Sequence, residues 1–528
     1  MRINNKEVPQ MKKVLSLVLA LMLVLSCFGS FALADDVPTL KVLVRHDPRS
    51  PKIGELDNYK RAEEAVGVKI EWEYVTADAW KEQKSLVLAS GDLPDIFFGT
   101  QTIHPSDILA NIEYFIPLDD LVAEYGDQIQ EMWEVYPSSK IANTMPDGKV
   151  YGIGRYMPNR PATLIGSYIN QKWLDNLGLK NPTTLEELEQ VLIAFRDLDA
   201  DGDGDTTDEV PILALSPSDG KRGIQAFRGY FQAENCVENE FGVIDGKLTF
   251  MPATEEYRQW IEWCHWLLEE GLINADCVTL DRATWTAMLG DANGSAGGLI
   301  TTWTNDEAGA NMDDFTILDI QEGPNGKAYM AGNKANLACG VSQWCAASIT
   351  VNCKDPEAAM RWINYFYDDA NGAEAANGPV GLAMYIDENG VYRFMEDQYE
   401  TTGYHIYDNW YYSLGDQNIG WVSPEFEKNY FPPTPIEERK YVVDQAYQDN
   451  LRDESFIVPP MVFDRDSNDR AIEIKTDIDK LLKETVADWF VNGITDEQWN
   501  DYLKQLDKMG LEEYIEIYQN RLDEIRGN

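Results

Sequence analysis

Histidine and basic side chains are scarce in this chain. Its four histidines, His46, His104, His265 and His405, are scattered over 528 residues, too far apart in sequence to suggest an acid–base or metal cluster. No P-loop, no G-x-S-x-G and no H-E-x-x-H occurs, so the familiar phosphate-cradling, serine-hydrolase and zinc-protease signatures are missing. Lys and Arg number 44 against 90 Asp and Glu, a net charge of -46. A surface this acidic repels phosphate backbones and excludes nucleic acid as a partner. Seven cysteines are present without a CxxC pair, so no zinc site is expected. Apart from Cys27 they are Cys236, Cys264, Cys277, Cys339, Cys345 and Cys353, an even number with apolar neighbours. Disulfides and buried free thiols both fit them.

What is present describes a packed globular protein: 44% hydrophobic and 11% aromatic residues. The length exceeds one ordinary core and predicts two lobes. Met11-Lys-Lys followed by the apolar Val14–Leu25 has the form of an export leader, too short for an ordinary membrane span. Two endings compete. Val24-Leu-Ser-Cys27 has the form of a lipobox, which would tether the protein through Cys27. Ala32-Leu-Ala34 is an A-x-A site that would release it, and the short distance to the first strand favours this second ending.

The organising stretch is Leu86–Gly99. A helix with apolar Leu86 and Leu88 stops at Ser90-Gly91, because glycine readily takes the left-handed cap. Pro94 forces extended geometry, and Ile96-Phe97-Phe98 is a short buried strand. In an open α/β sheet such a strand delivers the following residues, Gly99, Thr100 and Gln101, to the crevice at its carboxyl end. Before it, strand Thr39–His46, helix Tyr59–Val66 and strand Val68–Tyr74 give a β-α-β start. Later come a Gly-rich connector at Asp147–Arg155, a helix capped by Thr183 or Thr184, and a helix at Tyr257–Glu270. Trp260, Trp263, Trp266 and Leu267 stand at helical spacing in that last helix and are expected in the core. A capping box at Thr495–Gln498 opens one of the final amphipathic helices.

Ala-Ser-Gly-Asp-Leu-Pro-Asp-Ile, Ile-Pro-Leu-Asp-Asp-Leu at 116–121 and the helical ending after Lys475 resemble the extracellular solute-binding proteins of bacterial ABC importers, in the maltose-binding-protein-like group. The resemblance covers nearly the whole chain after the leader. It implies an α/β, two-lobed periplasmic-binding-protein-like fold of type II, with discontinuous lobes joined by a hinge and a helical C-terminal region. The expected division is a signal peptide at 1–34, an N-terminal lobe of 35–154 and 321–375, and a C-terminal lobe of 155–320 and 376–528. It also implies a receptor that passes an oligosaccharide to a membrane permease, acting as a monomer and not as an enzyme. A peptide receptor on the same fold and a secreted glycoside hydrolase are the alternatives.

A sugar ring has an apolar face and hydroxyl edges, which suits an aromatic plate beside polar side chains. Trp303, after the small-residue run Gly294–Thr302, is the first candidate, with a buried Trp capping the sheet as the plain alternative. Arg45, Thr100, Gln101, Trp344, Trp410 and Trp421 complete the candidate ligand set. Arg45 alone reads as a loop cation and enters through the resemblance.

The sharpest local motif is Asp197-Leu-Asp-Ala-Asp-Gly-Asp-Gly-Asp-Thr-Thr-Asp-Glu-Val-Pro211. Alternating carboxylates among glycines can wrap a hard cation in oxygen ligands. Asp199, Asp201, Asp203, Asp205, Asp208 and Glu209 are the expected ligands of a structural Ca2+. The register can start at Asp199 or at Asp197. A solvated acidic turn is the alternative reading.

Overall fold

The computed structural model describes residues 37–526 except 49, 157–162, 164, 216–222, 235–239, 292–293, 295, 331–344, 396–411, 415–417 and 430–434. The leader with Cys27 and Ala34 lies outside the described residues, as do Trp344, Trp410, His405, Cys236 and Cys339.

The first sheet grows from β1 (Thr39–His46), α1 (Asp57–Val66), β2 (Lys69–Thr76), α2 (Ala77–Ser90) and β3 (Ile96–Ile103). β1 pairs in parallel with both β2 and β3, and Val44 lies opposite Tyr74 and Phe98. A distant strand, β12 (Cys345–Ile349), adds antiparallel to β3 and gives the order β12-β3-β1-β2. Strand side chains alternate between faces. Val42, Val44, Ile96 and Phe98 pack with Tyr59, Trp362 and Phe366 on one side. Leu43 and Phe97 pack with Trp80, Leu88 and Phe115 on the other. Burial on both faces explains the unbroken apolar runs Val42–Val44 and Ile96–Phe98. α2 ends at Gly91 with φ 70, as its sequence predicts. Its buried residues are Trp80 and Leu88, however, whereas Leu86 is 54% exposed; residues three, four, seven or eight apart share a helix face, and residues two apart do not.

The second sheet contains β4 (Gly166–Asn170), β5 (Val210–Ile212), β8 (Gly297–Thr302) and β9 (Phe315–Ile317), in the order β5-β8-β4-β9. β5 and β8 run parallel, and β4 runs antiparallel to β8 and β9. The hairpin of β6 (Phe241–Ile244) and β7 (Lys247–Phe250) turns on Asp245 and Gly246, both at positive φ. α3 (Leu185–Asp197) is capped by the Thr184 hydroxyl, and α4 (Glu255–Glu269) buries Trp260, Trp263 and Leu267. The final helices, α7 (Arg465–Asn492), α8 (Asp496–Met509) and α9 (Leu511–Arg526), join the same core, and Thr495 and Gln498 form the expected capping box.

The chain returns to the first sheet later than the boundary expected at 321. β9 stays in the second sheet, and the separate two-stranded hairpin of β10 (Glu322–Gly323) and β11 (Gly326–Lys327) that follows it lies on that side too, where Glu322 bridges Thr184. Gln321 N–H bonds the Thr183 carbonyl at 2.7 Å, and Tyr329 N–H bonds that of Gly229 at 2.9 Å. The approach is close enough to require glycine: a Cβ on Gly229 would fall 1.8 Å from the Tyr329 oxygen. The return is made by β12 and then α5 (Pro356–Tyr365), capped by Asp355. Leu414, Ile419 and Trp421 also pack into the first core, beyond the boundary expected at 375. A further helix, α6 (Pro435–Tyr447), carries Val443 and Tyr447 back into the second. Cys264, Cys277, Cys345 and Cys353 are buried free thiols.

Candidate functional site: the strand ends beside the interlobe crossing

The first crossing between sheets locates the site. Ile153 bridges Ala347 antiparallel, so the chain leaving it runs toward the carboxyl ends of β1 and β3. It enters the second sheet at Gly166, opposite Thr302 at the end of β8. The connector is anchored on the first side. The Tyr367 hydroxyl donates to the Gly154 carbonyl at 2.7 Å, Arg155 donates to the Asn418 side chain, and Tyr156 stacks on Tyr136 at 3.9 Å. Its glycines serve packing here, since a Cβ on Gly152 would meet Cys345 at 2.8 Å.

On the first edge, β3 bulges directly after its buried apolar run. Phe98 and Ile103 are five residues apart, yet they pair with Ala347 and Cys345, only two apart. The intervening residues loop outward, with Gly99 at φ 88 and Gln101 at φ 66. The Thr102 hydroxyl closes the loop by donating to the Phe98 carbonyl at 2.7 Å. Bulges of this kind re-aim side chains. Here the bulge brings the side-chain oxygen of Gln101 to the Arg45 guanidinium, which donates to it from the end of β1. Thr100 lies in the same bulge and is buried. Three of the expected ligand residues are therefore brought together.

On the second edge, Trp303 follows β8 and is half-buried. The Tyr168 hydroxyl donates to its carbonyl at 3.1 Å, and Lys440 of α6 places its Nζ 4.6 Å from the ring centroid. Trp421 is placed differently. It is 2% exposed in the first core, and its indole N–H donates to the Tyr367 carbonyl at 2.7 Å. The chain presses close there, for a Cβ on Gly372 would lie 2.0 Å from the Trp421 oxygen. That burial takes Trp421 out of the ligand set. Lys440 was not singled out from the sequence. Its signal is a lysine on the helix side that also carries Val443 and Tyr447.

The acidic loop lies between α3 and β5, at the amino ends of β5 and β8 and so at the opposite end of these strands from Trp303. Side-chain oxygens of Asp199, Asp201 and Asp203 come within 4.8 Å of one another. Asp199 accepts the backbone N–H groups of Gly202 at 2.8 Å and Gly204 at 3.1 Å, and both glycines have positive φ. Glu209 accepts the Ala200 N–H at 2.8 Å with one oxygen, while the other is buried without a partner among the described residues. Burial, then neighbouring carboxylates, raises the Asp208 and Glu209 carboxyls above their usual range. The grouping follows the register that starts at Asp199. Asp205 instead accepts the Thr207 N–H and hydroxyl. Converging carboxylates and an orphaned buried oxygen form a donor set suited to a hard cation.

The model of the bacterial extracellular solute-binding protein family matches residues 56–373. The fructooligosaccharide ABC transporter substrate-binding protein FusA of Streptococcus pneumoniae is 26% identical, over 93% of this chain and 91% of its own. Lipoprotein LipO of Bacillus subtilis is 28% identical over 73% of this chain and 76% of its own. Among solved structures, an HMO-binding, ABC-transporter-associated solute-binding protein from Bifidobacterium longum infantis superposes with a TM-score of 0.80 at 24% identity, covering 93% of this chain and 99% of the other. A FusA EF-hand mutant in complex with fructo-nystose superposes at 0.71 and 23% identity, covering 93% and 100%. The two-sheet architecture is thus the two-lobed, type II periplasmic-binding-protein fold. With its family model matched over more than half its length, this chain belongs to the bacterial extracellular solute-binding proteins.

Proposed function

We propose that the protein is the receptor of an ABC importer, capturing an oligosaccharide between its lobes and presenting it to a membrane permease. The observation that carries this reading is the pairing of polar and aromatic groups on the two sheet edges beside the crossing. Arg45 and Gln101 supply hydrogen-bonding groups from the first edge, and Trp303 supplies an apolar plate from the second. A pyranose or furanose offers both kinds of surface. The lobes divide about the two sheets and close by rotation at the crossings, with the receptor working as a monomer.

Asp199, Asp201, Asp203 and Glu209 would hold a calcium ion, with Asp208 next to them in the loop. An EF-hand in the relative FusA is in keeping with this. The ion would neutralise crowded carboxylates and fix the turn between α3 and β5. The leader exports the protein and is removed after Ala34. Lipidation at Cys27 is the competing fate, favoured by the lipoprotein relative; mass spectrometry of the mature N-terminus separates the two.

The testing experiment is a thermal-shift and calorimetric screen of the mature protein against neutral and acidic oligosaccharides, with products followed by chromatography. One glycan class should raise the melting temperature and remain intact. Silence across the glycans with a shift from peptides would replace the cargo, and released monosaccharide would replace the receptor with a hydrolase.

A further inference from the structure

α6 carries a lysine on the face by which it packs. Lys440, Val443, Asp444 and Tyr447 fall at i, i+3, i+4 and i+7, one side of a helix. Val443 and Tyr447 are each 1% exposed and Lys440 is 2% exposed, the only buried lysine among the described residues. The neighbours on this face are committed. Asp444 accepts the Thr163 backbone N–H at 3.0 Å and also its hydroxyl. The Tyr447 hydroxyl meets the carbonyls of Ser167 and Leu318.

The Lys440 ammonium, in contrast, has no hydrogen-bond acceptor among the described residues. What it has is the ring of Trp303, 4.6 Å from Nζ to the centroid. Taking an ammonium out of water without acceptors is expensive, and a helix needing only to pack would carry leucine or methionine there. Burial lowers the Lys440 pKa to about 8, against the opposing pull of Asp444. The other ionisable groups around this strand end are Tyr168 on β4, with Asp306 and Glu307 after β8. Glu307 is paired with Arg282 at 3.0 Å. A cation over an indole face is held by the ring quadrupole, and it also occupies that face.

We propose that Lys440 is a positioning residue for cargo recognition: it closes one face of Trp303 and fixes the indole so that a single face is offered to a sugar ring. The inference rests on the reading of Trp303 as a ligand platform. With one side taken by the ammonium, the indole accepts one ring against its other side and cannot be sandwiched between two. Cargo is then read from one side of the plate, and its hydroxyl edge is left to groups such as Arg45 and Gln101.

The test uses the mature protein and three variants, K440M, K440R and W303A, on an array of neutral and acidic oligosaccharides. The array member that wild type binds most tightly is then followed by calorimetry from pH 6 to pH 10. Wild-type affinity should fall as pH rises through about 8, where the ammonium loses its charge. K440R should bind well and show no such step, because a guanidinium stays charged. K440M should bind about 2- to 30-fold more weakly at pH 7, the range of a cation–π contact, and also show no step. W303A should lose more than K440M.

Equal affinity of K440M and wild type, or a pH step that persists in K440M, overturns the proposal. Should K440M not fold, a wild-type affinity that is flat across pH 8 overturns it instead. If W303A binds as wild type does, the platform and this proposal both fall while the receptor stands. A silent array for wild type overturns the receptor reading and the proposal with it.

Discussion

The Arg45 guanidinium donates to the side-chain oxygen of Gln101, joining the carboxyl ends of β1 and β3 across a bulge. Gln101 does this from a backbone with φ 66, a region where a β-carbon is strained. Such outliers persist where the surroundings over-determine them, and they concentrate at functional sites. The bond therefore marks a place where shape has been kept at some cost in stability.

Replacing Gln101 separates the two effects. Q101G should relieve about 1 kcal/mol of backbone strain and hold or slightly raise Tm. The same variant should lose about tenfold in glycan affinity, or about 1.4 kcal/mol. R45M should lose a similar amount of affinity with Tm changed by less than about 2 °C, because one half-buried hydrogen bond contributes about 1 kcal/mol. Calorimetric binding and scanning calorimetry on the same preparations check both.

Lys440 makes a stability prediction that runs opposite to its binding role. Its folded pKa, about 8, lies below the unfolded value of about 10.4. Below pH 8 both states carry the charge and the full burial penalty is present. As pH climbs from 8 toward 10.4 the folded state sheds its proton first, and the penalty fades. K440M should therefore melt about 2–4 °C higher than wild type at pH 7, a gap that closes by pH 10. A gap that widens with pH contradicts the assignment.

The second lobe contains a buried ion pair whose loss should be costly. Arg452 Nε donates to Glu234 at 2.5 Å, and its guanidinium lies 3.6 Å from the ring centroid of Tyr329. Glu234 is 2% exposed, and burial raises its carboxyl pKa despite Arg452. E234Q leaves the guanidinium without its counter-charge and should destabilise by about 3 kcal/mol. E234L with R452M should be less harmful than the sum of the single changes, as a double-mutant cycle in urea would show.

Calcium should act on stability and leave affinity alone. Chelation should lower Tm by several degrees, about 2.7 kcal/mol when the ion had been at 100 times its Kd. D201N should remove that difference. The loop precedes β5, at the end of the sheet opposite Trp303, and six residues of β8 span about 20 Å. Glycan affinity should thus stay within about threefold after chelation; a larger loss would place the ion in the ligand site's mechanics.

Much of the scaffold was legible because local chemistry determined it. Gly91 had to end α2, Thr183 or Thr184 had to cap α3 and Thr495 α8, and the apolar run at Ile96–Phe98 had to be a buried strand. The position of Gly99, Thr100 and Gln101 at the carboxyl end of that run followed, since a strand's carboxyl end is where its next residues go. Long-range closeness was not legible. Nothing near Gly229 or Gly323 announces that each lets a distant backbone approach and so holds residues up to Tyr329 beside the second sheet. Trp421 and Trp303 are the same residue type in similar polar–aromatic settings, and only tertiary packing tells a core indole from a half-open one. Lys440 was visible as a break in periodicity, but its meaning depended on Trp303, 137 positions away in the chain.

β3 and β12 are neighbours in space and almost 250 residues apart in sequence. On a growing chain, β3 therefore waits with one edge unpaired while the entire second sheet is synthesised. An open, apolar edge is the structure most prone to pair with the wrong partner, and pairings across such a separation form slowly. Keeping β3 from other chains until β12 arrives is thus a demand on the cell's handling of the nascent polypeptide, and the lobe nearest the N-terminus is among the last to be completed.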